Sequence, residues 1–352
     1  MSNQLAEDSI ELLKTLIATP SFSREEDRTA DAIEVFFKDH KLKANRHQNN
    51  IWSFNRYYDA SKPTILLNSH HDTVKPNPGY SRDPFEAKVV DGKLYGLGSN
   101  DAGGCLVSLI AVFRHFYDKA ALKYNLCIAA TAEEEVSGKN GIESLVPQLG
   151  PLDFAIVGEP TLMNLAIAER GLIVLDCVAH GKAGHAAREE GDNAIYKALK
   201  DIEWFRTYEF PNKSELFGLT KMSVTVINAG SQHNVVPAKC DFTVDVRVTD
   251  AYRNEEVVDI IKQHVACDVT PRSTRLKPSS ISKDHPFVQA GLALGRTTYG
   301  SPTTSDQALL DITSVKLGPG DSARSHMADE FIYLDEINEG IELYIQMLER
   351  ML

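Results

Sequence analysis

Four short apolar runs in this chain are each soon followed by histidine or acidic residues. The polar segments after the runs are Ser69–Asp72, Glu133–Glu135, Gly158–Pro160 and Gly318–His326. Because open α/β sheets bind ligands beyond the carboxyl ends of their strands, four such ends would bring these side chains into one crevice. A fifth acidic residue, Asp101, lies in a glycine-rich loop ahead of a long apolar segment.

Each of these segments has an ordinary structural explanation when it is taken alone. Glu133–Glu135 could begin a solvated helix, Asp101 could cap the helix that follows it, and Glu159 could shape a turn before proline. These explanations do not account for two histidines and several carboxylates that all lie at strand ends. Such a mixed nitrogen and oxygen set suits zinc or a related divalent ion. The sequence therefore predicts a metal site.

Helical and buried-strand patterns alternate through the first 160 residues. Amphipathic helices are predicted over 5–17 and 30–37, an apolar helix over 105–116, and buried strands over 64–67, 126–130 and 154–157. A strongly apolar helix between two buried strands is long enough to connect parallel neighbours. We therefore expect an α/β domain with a doubly wound, mainly parallel sheet.

From about residue 170 the strand pattern changes to alternating apolar and polar residues. This pattern covers 172–178, 222–227 and 242–248, with helical segments over 193–205 and 254–264. It predicts an inserted α+β domain, ferredoxin-like, with an antiparallel sheet. The α/β pattern returns with the run 314–317 and a closing helix over 334–351. The predicted boundaries are 1–168 and 282–352 for the outer domain and 169–281 for the insert.

The charge and cysteine content narrow the class of protein. Acidic residues outnumber basic ones, 49 to 37, and no basic block is present, so nucleic acid is not an expected partner. No apolar run reaches the roughly 18 residues of a membrane-spanning helix, and the acidic N-terminal segment does not resemble an export signal. Five scattered cysteines without a C-x-x-C pair favour a reducing, cytoplasmic location.

Five ordered motifs resemble the M20 family of zinc-dependent deacylases and peptidases over essentially the whole chain. Within the family the sequence looks most like the branch of acetylornithine deacetylase and its relatives. The matching motifs are the H-x-D element His70–Asp72, the loop aspartate Asp101, the pair Glu134–Glu135, the element Gly158–Thr161, and Gly318–Gly320 with His326.

The resemblance implies two divalent ions, zinc with cobalt able to substitute. Their implied ligands are His70, Asp101, Glu135, Glu159 and His326, with Asp101 bridging both ions. Asp72 would orient His70 through its other ring nitrogen. Two adjacent alternatives stay open, because His71 could replace His70 and the register within Glu133–Glu135 could shift by one.

The resemblance also implies roles for four further residues. Glu134 would take a proton from the attacking water and pass it to the leaving amine, and His185 would stabilise the tetrahedral oxyanion. Asn234 and Arg247 would bind substrate, since the planar fork of arginine suits a carboxylate. The resemblance also implies a homodimer formed through the inserted domain, in which His185 acts in the partner's site; action in its own subunit is the alternative.

The expected reaction is hydrolysis of the amide bond of an N-acyl amino acid. N-acetyl-L-ornithine, giving L-ornithine and acetate in arginine biosynthesis, is the first candidate. N-succinylornithine, N-succinyl-diaminopimelate, N-acetyl-lysine and peptide substrates remain alternatives. A dinucleotide-binding loop at Gly96–Gly104 is disfavoured, because Asp101 occupies the third glycine position of that fingerprint. A non-catalytic metal-binding scaffold would be favoured only if Glu134 or a ligand were missing.

Overall fold

A computed structural model describes residues 2–188 and 190–352 of the chain. The described chain divides into two compact units. The second unit comprises Ala168–Ser279 and Gly300–Thr304, and the first comprises the described residues up to Ile167 with Ser280–Tyr299 and Ser305–Leu352. All four polar segments that follow the apolar runs therefore belong to the first unit.

The described residues form eight α-helices. They are α1 (Ser2–Ile17), α2 (Asp27–Asp39), α3 (Gly104–Phe116), α4 (Ile142–Leu149), α5 (Ala194–Thr207), α6 (Asn254–His264), α7 (Pro286–Ala293) and α8 (Leu334–Glu349). The six helices that the sequence predicts are confirmed. The two that it missed, α4 and α7, have eight residues each, and α4 contains Pro147, so neither gives a clear helical period.

Eighteen strands occur in the same residues. They are β1 (Asn45–His47), β2 (Asn50–Phe54), β3 (Thr64–His70), β4 (Lys88–Val90), β5 (Lys93–Tyr95), β6 (Asn125–Thr131), β7 (Phe154–Val157), β8 (Leu165–Glu169), β9 (Gly171–His180), β10 (Gly184–His185), β11 (Lys221–Ala229), β12 (Val235–Val236), β13 (Lys239–Val248), β14 (Asp268–Pro271), β15 (Ser279–Ser280), β16 (Thr298–Ser301), β17 (Thr313–Lys316) and β18 (Phe331–Tyr333).

Seven strands of the nine-stranded main sheet have the order β1-β2-β6-β3-β7-β17-β8. Its four middle strands are parallel, whereas β1, β2 and β8 pair antiparallel with their neighbours. Successive side chains of β3 point to opposite faces. Ile65 packs in the core cluster that includes α1, α3 and α8, and Leu66 packs in a second cluster with α4. Helices therefore cover both faces, which confirms the predicted doubly wound α/β sheet.

The sheet of the second unit is antiparallel, in the order β11-β13-β9-β14. Residues of β9 and β13 alternate between buried and partly exposed. Val244 and Val246 pack with α5 and α6 on one face, and Asp245 and Arg247 lie on the other. This arrangement confirms the predicted antiparallel α+β insert.

A small sheet that the sequence did not reveal has the order β18-β5-β4. Phe331 pairs with Tyr95 in an antiparallel register. The residues just before β18 therefore lie beside the glycine-rich loop that follows β5. Among the described residues, the helices lack the combination of length and apolarity that crossing a membrane requires.

Candidate metal centre

The centre is built at the carboxyl ends of the four parallel strands. His70 is the last residue of β3, Glu135 follows β6, Glu159 follows β7, and His326 lies in the loop after β17. Asp101 comes from the short turn Ser99–Gly103 ahead of α3, where its own backbone is not helical. Parallel strands end at the same sheet edge, so side chains that are distant in sequence meet there.

Two clusters of donor atoms share the carboxylate of Asp101. One contains His70, Asp101 and Glu159, the other contains Asp101, Glu135 and His326, and the donor atoms of each lie within 4.8 Å of one another. Oδ1 of Asp101 is 3.3 Å from Nε2 of His70, and Oδ2 is 3.7 Å from Nε2 of His326. Donors around a tetrahedral zinc ion are separated by about 3.4 Å, so the described residues fit two such ions.

The remaining donor distances are of the same order. Nε2 of His70 is 3.8 Å from Oε1 of Glu159, and Nε2 of His326 is 3.0 Å from Oε2 of Glu135. His326 has a left-handed backbone, with φ of 60°, which few non-glycine residues adopt. Such backbone outliers cluster at functional sites because the surrounding contacts hold them in place.

The structure separates His70 from the adjacent His71. Nδ1 of His71 contacts Oγ1 of Thr29 at 2.9 Å, and Nε2 contacts the main-chain oxygen of Asn49 at 2.9 Å. Burial lowers the pKa of His71 to about 4, so its imidazole is neutral. Both nitrogens of His71 are engaged away from the clusters, and His70 alone of the two lies in them.

The three consecutive glutamates are separated in the same way. Oε1 of Glu133 accepts a hydrogen bond from Nδ2 of Asn140 at 2.8 Å and lies outside both clusters. Glu135 lies in the second cluster. Glu134 belongs to neither, but its Oε2 is 3.9 Å from Nε2 of His70. Glu134 is thus a carboxylate beside the clusters that is not needed as a ligand.

Asp72 connects the end of β3 with the segment that follows β6. Its Oδ1 accepts the main-chain N–H of Glu134 at 3.0 Å, and its Oδ2 accepts that of Glu135 at 3.2 Å. Nδ1 of His70 is closer to the main-chain oxygen of Asp72, at 2.9 Å, than to its carboxylate Oδ1, at 3.4 Å. A proton on Nδ1 donated to that carbonyl leaves the Nε2 lone pair facing the cluster.

The electrostatics of the clusters favour a bound cation. Burial, together with the negative charge of the nearby Asp101, raises the pKa of Glu159 to about 8. Burial also raises the pKa of Glu134 well above its ordinary value. The hydrogen bond to Glu135 raises the pKa of His326 to about 9. Several buried carboxylates that repel one another are stabilised by divalent positive charge.

Two buried acidic residues at the centre were missed by the sequence prediction. Asp306 accepts hydrogen bonds from Nδ2 of Asn68 and Oγ1 of Thr131, both at 2.8 Å, and burial raises its pKa to about 6. Glu330 contacts main-chain N–H groups of the glycine-rich loop; burial raises its pKa to about 8, and those N–H groups oppose the rise. Neither residue follows an apolar run, so neither gives a strand-end signal.

The second unit brings His185 and Asn234 together. His185 lies on β10, which pairs with β12, and the main-chain N–H of Ala186 donates to the oxygen of Asn234 at 2.9 Å. An open cavity of about 510 Å³ lies beside them, lined by Ala186 and His233 among others. This volume falls in the range of small-molecule sites.

Arg247 has a partner of its own within the second unit. Its Nε and one terminal nitrogen donate to the two carboxylate oxygens of Asp245, at 2.8 and 3.1 Å. This bond uses two of the five N–H donors of the guanidinium group. A substrate carboxylate would therefore have to share Arg247 with Asp245.

Comparison with known sequences gives consistent matches. The profile of peptidase family M20/M25/M40 matches residues 66–350. Acetylornithine deacetylase of Proteus mirabilis strain HI4320 is 28% identical over 376 residues, covering 97% of this chain and 96% of that protein. Succinyl-diaminopimelate desuccinylase 2 of Ruegeria sp. strain TM1040 is 25% identical over 388 residues, covering 98% of this chain and 95% of that protein.

Solved structures of the same architecture superpose on the chain. Aminopeptidase PepT of Bacillus cereus ATCC 10987 has a TM-score of 0.76 at 19% identity, covering 100% of this chain and 99% of that chain. The Bacillus subtilis YXEP protein, described as a dinuclear metal binding peptidase from the M20 family, has a TM-score of 0.73 at 16% identity, covering 98% of each chain. At these identities the superpositions show a shared fold.

Proposed function

Because this chain belongs to peptidase family M20/M25/M40, as its motifs predict, we propose that it is a two-zinc hydrolase that deacylates an N-acyl amino acid. Membership of this family shows that the protein is a hydrolase. The presence of two zinc ions and the identity of the substrate are what we propose. The observation that carries the proposal is the position of Asp101, whose two oxygens face His70 and His326 at 3.3 and 3.7 Å. A carboxylate shared by two donor clusters supports two ions held close together.

The donor set supports a defined division of ligands. His70 and Glu159 would hold one ion, Glu135 and His326 the other, and Asp101 would contact both. Zinc accepts such nitrogen and oxygen donors, and cobalt accepts the same set. When bound, the ions supply a polarised acyl carbonyl and a water that is acidic enough to react at neutral pH.

Glu134 moves the proton in this proposal. Its carboxylate is 3.9 Å from His70 and remains free of both donor clusters. It would accept the proton of the attacking water and then donate it to the nitrogen of the leaving amine. The carbon–nitrogen bond breaks, and the products are a carboxylate and a free amino acid.

Three residues of the second unit complete the proposal. His185 would donate a hydrogen bond to the oxyanion of the tetrahedral intermediate. A donor placed at this oxygen lowers the barrier because it stabilises the negative charge that develops there in the transition state. Asn234 would contact the substrate, since it immediately precedes β12, the strand that pairs with the β10 strand of His185. Arg247 would bind the substrate carboxylate with the donors that its bond to Asp245 leaves available.

N-acetyl-L-ornithine is the first substrate candidate, with the reaction serving arginine biosynthesis in the cytoplasm. Its support is the motif set together with the identity of 28% to acetylornithine deacetylase. Succinylated substrates are the alternative, since a desuccinylase is 25% identical over a similar length. The two acyl groups differ by a second carboxylate, so they require different surroundings at the acyl end.

The test is a substrate panel with the zinc-loaded protein. N-acetyl-L-ornithine, N-succinylornithine, N-succinyl-diaminopimelate, N-acetyl-lysine and a dipeptide are compared by release of free amine. We expect kcat/KM for N-acetyl-L-ornithine to exceed the others by about tenfold or more. Glu134→Gln serves as the matched background control. Faster cleavage of the dipeptide than of every N-acyl amino acid would instead identify a peptidase.

We also infer a homodimer formed through the second unit. The end strand β11 has Val226 and Ile227 each 49% exposed, and the neighbouring α5 has Tyr196 68% exposed. An unpaired strand edge with exposed apolar side chains favours pairing with another chain. A second copy would cover these side chains.

A further inference from the structure

Glu330 lies where the segment carrying one ligand meets the loop carrying another. It is four residues after His326 and immediately before β18, and its side chain is 1% exposed. Since β18 pairs with β5, Glu330 lies opposite Gly96, whose N–H donates to the main-chain oxygen of Glu330 at 3.0 Å. This strand pairing therefore places the carboxylate of Glu330 beside the turn that contains Asp101.

Three main-chain N–H groups of that turn donate to the carboxylate of Glu330. Oε1 accepts the main-chain N–H of Asn100 at 2.8 Å and that of Asp101 at 2.9 Å. Oε2 accepts the N–H of Gly98 at 3.2 Å. The N–H of Asp101 belongs to the residue whose side chain both donor clusters share. A bond to that N–H fixes the point from which the bridging carboxylate projects.

Asn100 links the same two segments from the opposite direction. Its Nδ2 donates to the main-chain oxygen of Asp321 at 3.0 Å, and its Oδ1 accepts the N–H of Asp321 at 3.1 Å. The fit is tight, because a Cβ on Gly320, where φ is +86°, would lie 2.5 Å from Oδ1 of Asn100. The turn around Asp101 is thus hydrogen-bonded to both ends of the segment 320–330, at Asp321 through the side chain of Asn100 and at Glu330 through its carboxylate.

We propose that Glu330 is a positioning residue that holds Asp101 between the two donor clusters, so that both ions bind tightly. This inference rests on the proposed two-ion site. Glu330 itself contacts main-chain N–H groups of the turn, so its effect reaches the ions through Asp101. Since Asp101 is common to both clusters, loss of the contact between Glu330 and Asp101 weakens the binding of both ions and not of one alone.

The test measures zinc affinity in competition with a chelating dye, first on the wild-type protein and then on Glu330→Gln. The amide replaces one acceptor oxygen with an N–H₂ group that opposes a main-chain N–H. We expect both zinc dissociation constants to rise about 10- to 100-fold, as for other residues that orient ligands. Glu330→Asp keeps the charge on a shorter side chain, so its zinc dissociation constants should lie between those of the wild-type protein and those of Glu330→Gln.

Asp201→Asn is the matched control. Asp201 is a buried carboxylate on α5 that accepts the N–H groups of Ala266 and Cys267 at 3.0 and 2.9 Å, within the second unit. We expect this variant to lower the melting temperature of the metal-free protein and to leave zinc affinity unchanged. An equal loss of zinc affinity in Asp201→Asn would show a general effect of instability and overturn the proposal.

The remaining outcomes are also decisive. Wild-type zinc affinity in folded Glu330→Gln overturns the positioning role and leaves the two-ion site intact. Failure of the wild-type protein to bind zinc overturns the proposed function before any variant is compared. If Glu330→Gln does not fold, Glu330→Asp decides, and unchanged affinity in that variant overturns the proposal.

Discussion

The carboxylate of Asp72 accepts a hydrogen bond from the main-chain N–H of Glu134 at 3.0 Å. This contact joins two segments that are 62 residues apart in sequence. The same side chain also accepts the N–H of Glu135, while the main-chain oxygen of Asp72 faces Nδ1 of His70. Asp72 thus positions the proposed metal ligands His70 and Glu135 and also the proposed base, Glu134.

Asp72→Asn should weaken metal binding and activity together. The amide keeps the shape of the side chain but presents N–H₂ to one of the two main-chain donors. We expect a loss of about 10- to 100-fold in zinc affinity, measured by competition with a chelating dye. Ser23→Ala is the control, because it removes only the hydroxyl that donates to Oδ2 of Asp72. Equal zinc affinity in both variants would contradict this prediction.

Glu134→Gln and Glu135→Gln should have separate effects. Glu134 lies outside the donor clusters, so its loss should lower kcat by about 10²- to 10⁴-fold and leave metal content near the wild-type value. Glu135 lies in a cluster with His326, so its loss should release metal. Elemental analysis after gel filtration and steady-state kinetics make the comparison. If Glu134→Gln lost metal and Glu135→Gln kept it, Glu134 would be the ligand and Glu135 the base.

The sequence predicts the strand-end residues because the signal for them is local. An apolar run that ends in a polar segment marks both the strand and its carboxyl end, as for His70 after Ile65–Leu67. The parallel order of β6, β3, β7 and β17 then brings the ends together. Glu159 was found by the same reasoning, since it follows the buried strand β7.

The choice between neighbouring residues depends on distant partners and could not be predicted from local signals. His71 turns away from the clusters because Thr29 and Asn49 satisfy its ring nitrogens, and neither partner is near it in sequence. Glu330 acts through main-chain N–H groups, which have no side-chain pattern to recognise. Asp306 comes from an irregular segment that bonds to β3 and β6.

Removal of divalent ions should abolish hydrolysis and lower stability. Because the ions would bind the folded chain, each should stabilise it by about 2.7 kcal/mol when free zinc is about 100 times the dissociation constant of its site. Differential scanning calorimetry of the chelated and the zinc-loaded protein measures this. Two equivalents of zinc should restore activity. Full activity in protein shown by elemental analysis to be metal-free would exclude the proposed mechanism.

Phe113→Ala should destabilise the first unit strongly. Phe113 on α3 is fully buried in the large core cluster, so its removal leaves a cavity at the helix that covers the sheet. We expect a loss of about 3–5 kcal/mol in the free energy of unfolding, measured by urea denaturation of the metal-free protein. Val35→Ala on α2, where the side chain is 57% exposed, should change it by less than about 0.5 kcal/mol.

The proposed homodimer with His185 acting in the partner's site can be tested by subunit mixing. His185→Ala and Glu134→Ala are each expected to be inactive alone. If His185 acts in trans, a mixed dimer contains one site with an intact Glu134 from the first variant and an intact His185 from the second. About one site per mixed dimer should then be active, because the second site lacks both groups.

If His185 acts in cis, each site of the mixed dimer lacks one group and activity stays at the level of the separate variants. The control is the Glu134→Ala,His185→Ala double variant mixed with each single variant, which provides no complete set of groups in trans. Native mass spectrometry confirms that exchange has occurred. Confirmed mixed dimers without recovered activity would reject the trans assignment, and monomers at all protein concentrations would reject the dimer itself.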